Sequence, residues 1–164
     1  MSLSKLTTNY ASFNEWANTT IVQWLKTVDS ALLYKQTLSS FTSIDYTLQH
    51  MLRTQNFWVA FINEQDTSKI NWAIRENEVE KIMNEILISS EKLSSVCSSF
   101  TEESLETTLH LNMPWAKNNL SRFEYIIHIV NHSTFHRGQI ITMARSLGMS
   151  TGIPNTDYNI FNCR

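Results

Sequence analysis

The sequence contains almost no residues that interrupt a helix before its last third. Only 3 Gly and 2 Pro occur among 164 residues, and the first of them is Pro114. Because glycine and proline are the strongest local interruptions of helical structure, the first 110 residues can form long helices without a break. This distribution favours an all-α fold.

Apolar residues recur at spacings of three and four in four stretches, the pattern of helices that bury one face. A chain of 164 residues has the length of one domain and can bury about two thirds of its unfolded surface. The sequence therefore predicts a single domain, residues 1–164, built from four helices. Their predicted spans are 4–28, 41–64, 77–99 and 122–147.

The fourth predicted helix has the clearest boundaries. Ser121 and Glu124 form a capping box at its start, and Gly148 follows its last apolar turn as a left-handed terminator. Before it, residues 101–119 alternate in part between apolar and polar side chains and then meet Pro114, which indicates a long connection containing a short extended piece. Long connections in small domains often carry function.

Charge and composition exclude several classes of function. Thirteen basic and fifteen acidic residues give a formal charge of -2, and no dense cluster of Lys or Arg could neutralise a run of phosphates. No nucleic-acid partner is therefore expected. The amino terminus lacks a continuous apolar stretch and no later run approaches ~18 apolar residues, so we expect a cytoplasmic protein without membrane contact. Cys97 and Cys163 stand far apart and are expected to be reduced thiols.

Three histidines lie four residues apart on the fourth predicted helix: His128, His132 and His136. Each step of four residues advances the helix by ~400°, so adjacent members stack on one face about 6 Å apart. Two imidazoles at this spacing can share one metal ion, and a rigid helix holds both in advance. The side-chain direction rotates around the helix at each step of four, so His128 and His136 cannot easily bind the same ion together with His132. His128 is therefore expected beside the site or in the core.

A third ligand must come from another helix, and His50 in the middle of the second predicted helix is the natural candidate. An unpaired polar ring among apolar neighbours would be costly there. The plain alternative is a metal-free bundle in which these histidines bond to backbone carbonyls or hydroxyls. His110 falls in the connection and is expected to be solvated.

The fourth predicted helix contains a longer string, His128-Ile-Val-Asn-His132-Ser-Thr-Phe-His136-Arg137-Gly138-Gln139-Ile140. This string resembles the signature of the DinB (DinB/YfiT-like) family. Three other features are also similar to sequences of that family. They are the helix stop at Leu147-Gly148, the tail Pro154-Asn155-Thr156-Asp157, and His50 followed by Phe57-Trp58. The resemblance covers nearly the whole chain.

The resemblance implies a DinB/YfiT-like four-helix bundle with an unusual long connection between helices 3 and 4. It maps the metal ligands onto His50, His132 and His136, all present here. It further implies a homodimer formed through helices rather than the ligand face. Some relatives look like transferases that use low-molecular-weight thiols, which suggests a small thiol as a partner.

Three neutral imidazoles would leave the double charge of a divalent ion uncompensated and at least one coordination position open, a pattern typical of catalytic sites. The leading expectation is a metal-dependent enzyme that activates a small thiol as an S-transferase, with hydrolysis by activated water as the second mechanism. The alternative is a non-catalytic metal-binding stress or interaction protein. Zinc or nickel is expected, although imidazoles also suit copper and iron.

Neighbours of the histidines have less definite roles. Asn131 or Gln139 could orient a ligand imidazole, and Arg137 with Gly138 could shape helix packing. No general base stands out, although Tyr46 lies one turn before His50 and could reach the site.

Overall fold

A computed structural model describes residues 2–163. The protein is mostly helical, with a small two-stranded sheet. In chain order the elements are α1 (Leu3–Leu25), α2 (Ser30–Leu33), α3 (Ile44–Ile62), a 3₁₀ turn (Thr67–Lys69), α4 (Val79–Ser99), α5 (Glu102–Glu106), β1 (Thr108–Met113), β2 (Ala116–Ser121), α6 (Arg122–Ser146) and α7 (Tyr158–Asn162).

The four long helices α1, α3, α4 and α6 occupy the four predicted spans and differ from them by at most a few residues at each end. Each of them contacts two of the others: α1 packs on α4 and α6, and α3 packs on the same two helices. Apolar faces meet in the middle, so the periodic residues of the sequence form the core.

The long connection between α4 and α6 corrects the all-α prediction, because it contains α5 and an antiparallel hairpin of β1 and β2. Leu109 and Leu111 are buried against the core while His110 and Asn112 face outward. That alternation of two is the period of a strand with one buried face, and it explains why the segment does not continue as a helix.

Hydroxyl caps fix the starts of the two helices that carry the candidate ligands. The Ser43 side chain accepts a hydrogen bond from the backbone of Tyr46 at the start of α3. At the start of α6, Ser121 and Glu124 form the predicted capping box, and Gly148 ends the helix with φ of +85°. Both predictions about the ends of α6 are confirmed.

A polar layer crosses the middle of the core. Arg137 of α6, only 2% exposed, donates to the Asn14 and Asn18 side chains of α1 at 2.9 and 2.8 Å. Both asparagines donate to Gln55 of α3, which donates in turn to Ser89 and Ser90 of α4. The layer therefore joins all four long helices through side-chain hydrogen bonds.

Within residues 2–163, none of the helices combines the length and apolar character that crossing a bilayer requires.

Candidate metal centre

The structure brings His50, His132 and His136 together between α3 and α6. His50 lies in the second turn of α3, and the other two are one turn apart in the middle of α6. His136 is buried, while His50 and His132 are partly exposed. Two capped, well-packed helices therefore hold the three rings, and one ligand atom from each lies within 4.8 Å of the others.

The three rings converge through the same nitrogen. His132 Nε2 lies 3.2 Å from His50 Nε2 and 3.1 Å from His136 Nε2. Tetrahedral coordination at a Zn–N distance of about 2.0–2.1 Å would separate two ligand nitrogens by about 3.3 Å. Both of these distances are close to that separation, and the ligand atoms of all three residues lie within 4.8 Å of one another.

Hydrogen bonds alone do not account for this cluster. A ring nitrogen of neutral histidine has either one hydrogen or one lone pair, so it can take one in-plane partner. His132 Nε2 faces two other ring nitrogens at hydrogen-bonding distance. A metal ion accepting three lone pairs satisfies all three nitrogens at once, so the residues fit such an ion.

Gln139 determines which nitrogen of His136 can bind a metal. Its Oε1 lies 2.7 Å from His136 Nδ1, and its Nε2 donates to Ser40 Oγ at 3.1 Å. Because the amide oxygen only accepts, Nδ1 must carry the hydrogen, which leaves a lone pair on the inward-facing Nε2. The neighbouring amide thus selects the tautomer that a ligand needs.

The electrostatics of the cluster keep its rings neutral. Burial, together with the neighbouring histidines, lowers the pKa of His132 to about 3. Burial, His136 and Arg53 lower the pKa of His50 to about 4, and burial also lowers the pKa of His136 although Gln139 opposes it. At neutral pH all three are therefore in the unprotonated form that binds metals.

Aromatic side chains flank two of the three rings. Phe41, from the segment before α3, stacks on His50 with ring centroids 4.4 Å apart. Phe135 meets the His136 ring edge-on at 5.1 Å and is 61% exposed. Sequence analysis assigned no role at this site to Phe41 or Ser40. The predicted second helix (41–64) began at Phe41, whereas α3 begins at Ile44 and both residues lie in the irregular segment before it.

The other two histidines lie apart from the converging set. The ring of His128 is 5.8 Å from that of His132 and packs on Trp58 at 4.9 Å. It lies beside the site, as the drift of the helical spacing predicts. His110 is exposed on β1, where its Nδ1 lies 2.9 Å from Asn119 Oδ1.

Two predicted neighbours of the site lie elsewhere. The Asn131 side chain accepts from the Tyr10 hydroxyl at 2.9 Å, so Gln139 rather than Asn131 orients a ring of the cluster. Tyr46 lines a separate cavity with Tyr34 and Asp45.

Both cysteine thiols are free, Cys97 being buried and Cys163 exposed.

Comparison with known proteins gives consistent results along the whole chain. A DinB family model matches residues 1–162. The chain is similar to Protein DinB of Bacillus subtilis (strain 168), with 26% identity over 159 residues that cover 91% of this chain and 89% of the relative.

Two crystal structures share the fold. One is a DinB-like protein from Bacillus subtilis, with a TM-score of 0.69, 14% identity, and coverage of 90% of this chain and 97% of the other. The second is a DinB-like protein from Bacillus cereus ATCC 10987, with a TM-score of 0.62, 12% identity, and coverage of 85% and 89%. Because the DinB family model matches residues 1–162, the chain belongs to the DinB family.

Proposed function

We propose that this protein binds one divalent metal ion through His50, His132 and His136, and that it is a metal-dependent enzyme. The observation that supports this proposal is the convergence of the three Nε2 atoms. Within the described part of the chain, no fourth His, Cys, Asp or Glu joins the group. Structural zinc sites usually fill four protein positions, whereas three protein ligands and an open position are typical of catalysis.

The proposed reaction is transfer of a small thiol to an electrophile, or hydrolysis by water. A divalent ion held by His50, His132 and His136 would supply Lewis acidity, which would lower the pKa of a thiol or water molecule bound to it. The chain's own residues determine the surroundings of the ion: Gln139 orients the His136 ring, and Phe41 covers one face of the His50 ring.

We further propose that α1, α3, α4 and α6 form the four-helix bundle expected of the family, with the ion between α3 and α6. The pairwise packing of these four helices supports this arrangement. Zinc or nickel is the proposed ion because imidazole nitrogen suits both. A second copy of the chain is the proposed protein partner. Size-exclusion chromatography with light-scattering detection would measure whether the protein is a monomer or a dimer.

The alternative function is a metal-binding protein without catalysis. His50 belongs to α3 and the other two ligands belong to α6, so an ion shared by them would tie the two helices together. This cross-link would stabilise the fold whether or not an open position were used.

The first experiment measures metal content by mass spectrometry on untagged protein. One equivalent is expected in the wild type, with loss in each of His50→Ala, His132→Ala and His136→Ala. His128→Ala is the matched control and should retain the ion, because its ring lies outside the converging set. Absence of metal from the wild type, or loss only in His128→Ala, would refute the site.

A second experiment separates the two functions. The metal-loaded protein is incubated with a small thiol and an electrophilic acceptor, and in parallel with an activated ester and no thiol. Turnover that disappears in His132→Ala supports the enzyme, and the dependence on thiol identifies the mechanism. One bound equivalent with raised thermal stability and no turnover across a panel of acceptors would favour the non-catalytic function.

A further inference from the structure

A second cavity lies on the α3–α4 side of the molecule and contains none of the three clustered histidines. It has a volume of about 490 Å³ and lies beneath the segment 63–78 that connects the two helices. Its polar lining comes from α3, from this segment and from α4. The residues that matter for its chemistry are Arg53, Asn56, Gln65, Lys69, Arg75 and Lys92.

The cavity is positively charged in a protein whose overall charge is negative. Its lining contains four cations, Arg53, Lys69, Arg75 and Lys92, against the two carboxylates of Asp66 and Glu85. That leaves an excess of two positive charges, whereas the whole chain carries a formal charge of -2. Concave sites lined by one sign of charge concentrate ligands of the opposite sign.

The two carboxylates neutralise only part of this charge. Glu85 forms a two-bonded pair with Arg75 at 2.9 and 2.8 Å, so that arginine has its partner. Asp66 is well exposed and lies 3.8 Å from Lys69, a pair that solvent screens. Within residues 2–163, no carboxylate lies within ion-pair distance of Arg53 or Lys92.

Arg53 is held in place without being neutralised. Its Nε donates to the Gln49 carbonyl at 3.0 Å and its NH1 to the Trp72 carbonyl. Burial first, and then the adjacent Arg75, lower the pKa of its guanidinium, while Asp45 opposes them. The second terminal nitrogen, NH2, has no partner among the described residues, so an oriented cationic donor is available to a ligand.

Two neutral side-chain amides, those of Asn56 and Gln65, also line the cavity. Asn56 accepts from Ser89 Oγ through its Oδ1 at 2.6 Å, which leaves its Nδ2 without a partner in the described part of the chain. The Gln65 side chain, at the edge of the cavity, likewise makes no hydrogen bond within residues 2–163. Charged and amide donors with no hydrogen-bond partner in the described part of the chain thus line one solvent-open cavity.

We propose that this cavity binds a small anion bearing a carboxylate or phosphate group, with Arg53 and Lys92 as its principal contacts. Arginine binds both groups through parallel N–H donors, and lysine adds a point charge at the rim. The site does not require a metal ion. The proposal for this cavity is therefore tested independently of the function proposed for the histidines.

The test uses the full chain, with inorganic phosphate and malonate as the two probes, by titration calorimetry at low ionic strength. The variants are Arg53→Gln and Lys92→Gln. Arg145→Gln is the matched control, since Arg145 is exposed on α6 and does not line this cavity. His132→Ala tests independence from the metal site. Circular dichroism verifies that each variant is folded.

We expect saturable binding of at least one probe, weakened about tenfold in Arg53→Gln and several-fold in Lys92→Gln, and unchanged in Arg145→Gln and His132→Ala. Whichever probe binds identifies the anionic group. Lys92→Gln remains informative if Arg53→Gln unfolds, because Lys92 is exposed. No saturable binding of either probe, or binding that neither cavity variant weakens, would overturn the proposal. Loss in His132→Ala would assign the anion to the histidines instead.

Discussion

The hydrogen bond between Gln139 and His136 distinguishes this histidine from the other two in the cluster. Within residues 2–163, the second ring nitrogens of His50 and His132 make no hydrogen bond, whereas His136 Nδ1 lies 2.7 Å from an amide oxygen. Ring orientation and tautomer at His136 therefore depend on the Gln139 amide, whose own nitrogen donates a hydrogen bond to Ser40 Oγ.

Replacing Gln139 with alanine is expected to weaken metal binding by roughly ten- to a hundredfold, the usual effect of removing a partner that orients a ligand histidine. Competition with a chromophoric chelator measures the affinity. Asn131→Ala is the matched control, because the Asn131 amide contacts Tyr10 instead of the cluster. Equal affinities for wild type and Gln139→Ala would show that packing alone orients His136.

The low histidine pKa values predict a loss of stability in acid for the metal-free protein. Histidine in an unfolded chain has a pKa near 6.5, whereas burial and the neighbouring charges lower the pKa of His50 to about 4 and that of His132 to about 3. Between these values the unfolded chain binds more protons than the folded one. The free energy of unfolding should therefore fall as the pH falls from about 6.5 toward 3.

Urea unfolding of metal-free protein at several pH values measures this dependence. His132→Ala should reduce the slope between about pH 6.5 and pH 4, since it removes one of the depressed groups. Asn131→Ala changes the adjacent residue without removing a titratable group and should keep the wild-type slope. An unchanged slope in His132→Ala would contradict the prediction.

At the scale of the element, α6 carries two of the three clustered histidines and begins at a capping box. The Ser121 side chain accepts from the Glu124 backbone at 3.3 Å, and Glu124 accepts from the Ser121 backbone at 2.8 Å. These bonds satisfy donors that the first helical turn leaves free. The start of the helix is thereby fixed, and with it the register that places the histidines.

Ser121→Ala should reduce the free energy of unfolding by about 0.5–2 kcal/mol, the ordinary effect of losing a serine N-cap. Chemical denaturation measures it. Ser98→Ala provides the comparison, since Ser98 is an exposed serine of α4 whose hydroxyl bonds to a carbonyl in its own helix; it should stay within about 0.5 kcal/mol of wild type. An equal effect at both positions would argue against a special role for the cap.

Sequence reasoning predicted the helices better than the segments between them, and the reason is physical. The spacing of His132 and His136 determines their shared face on α6 from local geometry alone. The strand alternation at Leu109 and Leu111 was visible, but the pairing partner in β2 depends on a turn that no helical pattern describes. Phe41 reaches His50 only through the tertiary path of residues 34–43.

At the scale of the whole molecule, the polar layer centred on Arg137 joins helices that are distant in sequence. Asn14 and Arg137 are 123 residues apart and meet at 2.9 Å. Sequence indicated a packing role for Arg137 without naming these partners, since no local pattern couples α1 to α6. Burial lowers the pKa of Arg137 to about 10, so the side chain is still charged at neutral pH.

Arg137→Met should destabilise the protein by about 2–6 kcal/mol, because it leaves the buried amide oxygens of Asn14 and Asn18 without their donors, at roughly 1–3 kcal/mol each. Urea unfolding measures the effect. Arg145→Met, an exposed arginine about two turns later on α6, should change stability by less than about 0.5 kcal/mol. Similar values for the two variants would show that solvent or neighbouring groups replace the buried bonds.

The contact between Trp58 and His128 gives the protein an optical property. The indole packs on His128 at 4.9 Å, and that ring lies 5.8 Å from His132. A single ring, that of His128, thus lies between this fluorophore and His132 of the cluster. An open-shell ion such as nickel quenches indole emission at such short range, whereas closed-shell zinc has no unpaired electrons with which to do so. Emission that falls with nickel, persists with zinc and loses its response in Trp58→Phe would report which ion is bound.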